Sequence, residues 1–176
     1  MNTADMNTIA INTLAETDEV LEFRQIDDQS IEVIRHLVQA CRDGEHGYQA
    51  AAQQLEVTDP LHAELMEFSV DRGHCAAELE MALAELGVSS DSSGSITGAL
   101  HRGWINLRQA LATKEHNAIL AECIRGEESA VNQYDQASLS SMPGGLAGLV
   151  QKQAREIAGV LARIKSLASA DSMVSK

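Results

Sequence analysis

Five side chains in this sequence have the types that a carboxylate-bridged metal pair needs: Glu45, Asp71, His74, Glu127 and Glu156. A dinuclear site in a helix bundle takes one Glu from each of two helices and a Glu-x-x-His pair from each of the other two. The carboxylates bridge the ions and balance their charge, and the imidazoles add nitrogen donors, a set that suits iron or manganese. Glu45 and Glu127 end a string written twice, Cys41-Arg42-Asp43-Gly44-Glu45 and Cys123-Ile124-Arg125-Gly126-Glu127, at an offset of 82 residues from Cys41 to Cys123. Asp71 and His74 form a carboxylate-x-x-His triplet. The same offset carries Asp71 onto Gln153 and His74 onto Glu156, so the second copy departs from the metal pattern at both positions.

The same residues also read as an ionic core. Arg72 falls at the centre of its helix's apolar stripe, while Asp71 lies at the edge and His74 further out. A buried guanidinium needs carboxylate partners, and its fork of donors can hold two of them. Arg72 would then neutralise Glu45 and Glu127, with Tyr48, Tyr134 and Gln153 hydrogen-bonded around them. This polar core is the favoured reading and the metal set the alternative. Cys41 and Cys123 share a repeat position and are either small packing residues, the favoured reading, or a redox pair facing across the bundle. His46, His62, His101 and His116 read as surface or helix-start residues. Gly44 and Gly126 cost helix stability, about 1 kcal/mol each relative to Ala, and point to close helix approach.

Four amphipathic segments must position these groups. The first spans 28 to about 55, with Ile34, Val38, Cys41, Glu45, Tyr48, Ala52 and Leu55 on its seam. Asp59 and Pro60 start the second, which runs to about 86 with Leu61, Leu65, Phe68, Arg72, Cys75, Leu79, Ala82 and Leu86 inward and Gly87 as its stop. A Ser-rich linker over 89–95 leads to a short helix marked by Ile96, Leu100, Trp104, Leu107 and Leu111. The third long helix starts near Thr113 and runs to about 140, with His116, Leu120, Cys123, Glu127, Val131 and Tyr134 on its seam. After a turn at Pro143 the fourth runs to about 168, with Leu146, Val150, Gln153, Ile157, Val160, Ile164 and Leu167 inward. Two hairpins joined by a long connection give an all-α, ferritin-like four-helix bundle over residues 28–170, its crossover carrying the short extra helix. Residues 1–27 are expected as a flexible extension and 171–176 as a frayed tail.

Three stretches carry a resemblance: Cys41 through Tyr48, Gly98 through Trp104, and Leu120 through Glu127. They resemble an uncharacterised bacterial family of unknown function with a ferritin-like four-helix-bundle fold. The resemblance runs from about Ser30 to Leu167. It implies the fold and brings no settled activity with it.

At 176 residues one domain is expected. The formal charge of −13 excludes a nucleic-acid backbone or an anionic membrane surface as a partner and leaves a second copy, a homodimer, open. No run approaches the ~18 apolar residues of a membrane span. Met1 to Asp5 holds no basic stretch before an apolar block, so no signal peptide is expected. Three cysteines, an odd number, fit reduced thiols in the cytoplasm. With no nucleotide loop, nucleophile elbow or zinc spacing, the sequence reads as a non-enzymatic bundle protein with a structural, interaction or stress-associated role.

Overall fold

The computed structural model describes residues 26–90 and 115–174, the side chains of 172–174 excepted. These residues form four helices and no strand: α1 (Asp28–Ala52), α2 (Pro60–Glu85), α3 (His116–Ser138) and α4 (Gly144–Val174). The N-terminal extension up to residue 25, the short helix expected over 96–111 with Trp104, and the cap expected at Thr113 lie outside the described residues. The helix borders follow local chemistry. Asp27 caps α1 by accepting from the Ser30 N–H at 2.6 Å. Asp59 caps α2, accepting from the Leu61 N–H at 2.9 Å, and Pro60 fills the first turn, where no N–H is needed. Gly87 stops α2 with a φ of +73°, a conformation that a Cβ would strain.

Each hairpin packs tightly within itself, α1 on α2 and α3 on α4, while α1 meets α3 less extensively and α2 barely meets α4. Two hydrogen bonds fix how the hairpins face each other. The Ser30 hydroxyl, at the start of α1, donates to the Ser141 carbonyl in the α3–α4 turn at 2.8 Å. His116, at the start of α3, meets Asp59, at the start of α2, at 2.8 Å. Hence α1 and α3 run in opposite directions, α2 and α3 run the same way, and the chain re-enters α3 at the end where α2 began.

The core divides into two apolar halves. Ile34, Leu37, Cys41, Cys75, Leu79, Leu83, Tyr134 and Ile157 belong to one. Tyr48, Leu61, Leu65, Phe68, Ile119, Leu120, Cys123 and Ile164 belong to the other. On the first three helices a single stretch separates the halves, and it holds Gly44 on α1, Arg72 on α2 and Glu127 on α3. The seams match the sequence reading with three shifts. Gly44 is buried where Glu45 was expected, Leu83 replaces Ala82 and Leu86, and Ala130 is buried where Val131 was expected. The physical reason is the same each time: a 3.6-residue period leaves neighbouring positions close in angle, and partner-helix packing chooses between them. Leu79 is fully buried; Leu79→Ala should therefore lower unfolding free energy by about 2–5 kcal/mol, read by urea denaturation with an unchanged m-value.

Candidate functional site

The polar layer is built from three helices. Arg72 extends from α2 across α1, and the way is open because residue 44 is glycine. A Cβ at Gly44 would lie 3.2 Å from Arg72 Cγ and Nε, too close unless the arginine moves. The guanidinium then reaches Glu127 on α3, with Nη2 donating to Oε1 at 2.7 Å and Nε to the same oxygen at 3.1 Å. Tyr48 of α1 donates its hydroxyl to that oxygen at 2.5 Å. Both charged groups are sealed, Arg72 at 3% exposure and Glu127 at 0%.

Charge and burial act against each other here. Burial alone would push the Arg72 guanidinium toward neutrality, but the Glu127 carboxylate overcomes this and holds its pKa above the usual arginine value. Burial, then the Glu127 charge, raise the Tyr48 hydroxyl well above its ordinary range, so it stays a donor. Among the described residues, Arg72 Nη1 and Glu127 Oε2 have no protein hydrogen-bond partner. Each unfilled group leaves desolvation uncompensated, so the pair works more as a constraint on geometry than as a source of stability.

A second network lies beside the first. The Tyr134 hydroxyl donates to Gln153 Oε1 at 2.7 Å, and the Gln153 amide nitrogen donates to the Cys75 carbonyl at 3.1 Å and to Glu78 at 2.9 Å. Those two acceptors fix which way the amide faces. The Tyr134 oxygen also meets Cys41 Sγ at 3.1 Å. Its one proton is committed to Gln153, so the neutral Cys41 thiol is the donor in that contact. The Cys75 thiol acts on Cys41 as well. Cys75 as donor, followed at shorter weight by the Arg72 charge, pulls Cys41 below the ordinary thiol range against the opposing effect of burial, while Cys75 itself is raised.

The structure thus brings together Arg72, Glu127 and Tyr48, and separately Tyr134 and Gln153. Glu45 is a correction: it is not in the core. Its carboxylate accepts from Arg42 Nη1 at 2.9 Å, with its side chain 30% exposed, and lies over Gly73, where a Cβ would come within 2.9 Å of Oε1. Arg42 in turn grips Glu80 of α2. The reason is one turn back in the sequence. Glu45 has Arg42 three residues before it, on the outer side of the seam; Glu127 has Ile124 there and turns inward to Arg72 instead.

The five metal candidates do not converge either. Asp71, His74 and Glu156 are exposed and line a groove of about 720 Å³ between α2 and α4, where Glu156 pairs with Lys152 at 3.7 Å. Glu45 and Glu127 are taken by Arg42 and Arg72. Among the described residues no three His, Cys, Asp or Glu side chains group as a metal ion requires. Helical phase explains this: Asp71 and His74 flank Arg72 on either side, and only one of the three can point into the core.

Cys41 and Cys123 do not pair. They lie in opposite halves of the core, and burial followed by the Glu127 charge raises Cys123. Cys41 shares its half of the core with Cys75, which the sequence places on the inner stripe without joining the two. Reflection through the turn at 58–59 sets residue 41 across from about 75, and that signal was available.

These features define a class: a four-helix bundle of two helical hairpins with one ion pair sealed between the halves of its core. The chain belongs to the DUF2383 family, a domain of unknown function, whose match covers residues 29–139. That match spans α1 to α3 and stops one residue past α3, short of the reach to 167 expected from the motifs. No curated protein matches the chain.

Removing one member of the ion pair strands the other. Arg72→Met should destabilise by about 3–5 kcal/mol, and Arg72→Met with Glu127→Leu should recover most of that, measured as a double-mutant cycle in urea. Glu45→Gln, at the half-exposed pair with Arg42, should cost no more than about 1 kcal/mol in the same assay, despite its identical place in the repeat.

Proposed function

We propose that this chain is a non-enzymatic helical-bundle protein of ferritin-like arrangement, acting through its surface in a structural, interaction or stress-associated role. One observation carries the reading. The Arg72–Glu127 pair, at 2.7 Å and fully enclosed, sets a permanent cation beside the one core carboxylate that a metal pair would use. A dication there would have to displace a guanidinium whose charge burial does not remove.

Other features agree with the finer parts of the proposal. The shared direction of α2 and α3 suits a crossover between hairpins, which is the ferritin-like connection. Three buried free cysteines suit the reducing cytoplasm. The charge of −13 disfavours nucleic acid and anionic membranes and is compatible with a protein partner or a homodimer. No described helix is long and apolar enough to cross a membrane.

Anaerobic loading with Fe(II) or Mn(II), followed by desalting and metal analysis, tests this. The expected result is no stoichiometric retention. A pair of ions held by the wild type and lost in Glu45→Ala with Glu127→Ala would overturn the reading in favour of a carboxylate-bridged metal protein.

A further inference from the structure

Cys41 and Cys75 occupy facing positions on antiparallel helices. The register is set by contacts just beyond them, toward the end of α1 and the start of α2. Gly44 lies against Arg72, Glu45 against Gly73, and the Tyr48 and Phe68 rings meet at a tilt of 57° with 5.5 Å between centroids. Continuing that register toward the start of α1 puts residue 41 across from 75. The glycines at 44 and 73 make room for the Arg72 and Glu45 side chains between the two helices, and a disulfide needs Cα atoms no further apart than about 7 Å. Cys41 is sealed, but Cys75 lines the groove between α2 and α4, the least packed face of the bundle.

We propose that Cys41 and Cys75 are a redox-active dithiol that closes to a disulfide under hydrogen peroxide, with the α2–α4 groove as the route of entry. Peroxide is close to water in size, which suits entry past the buried Cys75. The Cys41 thiolate attacks one peroxide oxygen; an S–O bond forms, the O–O bond breaks, and hydroxide leaves. The Cys75 sulfur then attacks the Cys41 sulfenic sulfur. The S–S bond forms, the S–O bond breaks, the second hydroxide leaves, and the two thiol protons convert both hydroxides to water. Two thiols are oxidised by two electrons and one peroxide is reduced to two waters.

The surroundings favour the first step over the same chemistry at Cys123. The Cys75 thiol and then Arg72 favour the Cys41 anion against its burial, whereas at Cys123, in the other half of the core, burial and then the Glu127 and Glu122 charges all oppose the anion. A bridge between 41 and 75 would tie α1 to α2 beside the ion pair and would end the contact of the Cys41 thiol with Tyr134. The inference stands apart from what the surface binds, and failure of the metal test above would leave it untouched.

The test is peptide mass mapping of folded wild-type protein under non-reducing conditions after peroxide and then a blocking alkylator. The expected result is loss of two of three thiols, one Cys41–Cys75 linked peptide pair, Cys123 alkylated, and full reversal by dithiothreitol. Cys75→Ser should stop at the sulfenic acid and give a dimedone adduct on Cys41, and Cys123→Ser should oxidise at a rate within about twofold of wild type. Three intact thiols in protein that circular dichroism shows to be folded would overturn the proposal. So would a bridge that includes Cys123, or one that forms only after urea unfolding. The wild-type mapping needs no variant, so a misfolded serine variant does not weaken it.

Discussion

A guanidinium and a carboxylate enclosed in the middle of a helix bundle impose conditions on everything around them. Arg72 passes α1 on its way to Glu127 at a point where α1 offers no side chain; a Cβ at Gly44 would lie 3.2 Å from Arg72 Cγ and Nε and would press the arginine aside. Glu127 cannot stay charged in an apolar layer without several donors, and Arg72 Nε, Arg72 Nη2 and Tyr48 converge on one of its oxygens. The three helices are therefore fixed in rotation and in height relative to one another by a single oxygen atom. Apolar packing alone specifies the register less sharply, because hydrophobic burial is non-directional. The polar layer does not tolerate a slip, since a slipped helix would leave one buried charge alone.

The internal repeat has been put to unequal use. Both copies of Cys-x-x-Gly-Glu lie on the inner side of their helices, and both glycines precede a glutamate. Only the second glutamate is buried. The first is bound outside by Arg42, which also clamps Glu80 and so ties α1 to α2 along the rim. The duplicated hairpin thus carries one charge in the core and one at the edge. Two carboxylates facing one arginine would have left a net negative charge in a dry layer, and the asymmetry removes that cost.

The second network extends the constraint to α4. Tyr134 and Gln153 join α3 to α4, and the Gln153 amide continues to the Cys75 backbone and to Glu78. Glu78 is also held by Lys152, with that lysine and Gln153 keeping its carboxyl below the ordinary range. This network and the Arg163–Glu64 ion pair are polar ties between α2 and α4, two helices that otherwise scarcely touch. Cys75, though buried, lines the groove beside it on the least packed face of the bundle.

Much of this was legible in the order of residues. Apolar spacing, the caps at Asp59 and Pro60 and the stop at Gly87 define the helices, because those are local interactions between residues a few positions apart. The singular Arg72 on an apolar stripe announced a buried pair, since such a charge must find a partner inside. What no single stretch could decide was which carboxylate that partner is. Glu45 and Glu127 have the same local string, and the choice depends on whether residue 42 or 124 can hold the glutamate outside and on which helix Arg72 reaches when the hairpins dock. The match of Cys41 with Cys75 rather than Cys123 has the same origin. Periodicity gives a residue's angle on its own helix, while the height and rotation of the facing helix come only from packing the whole bundle.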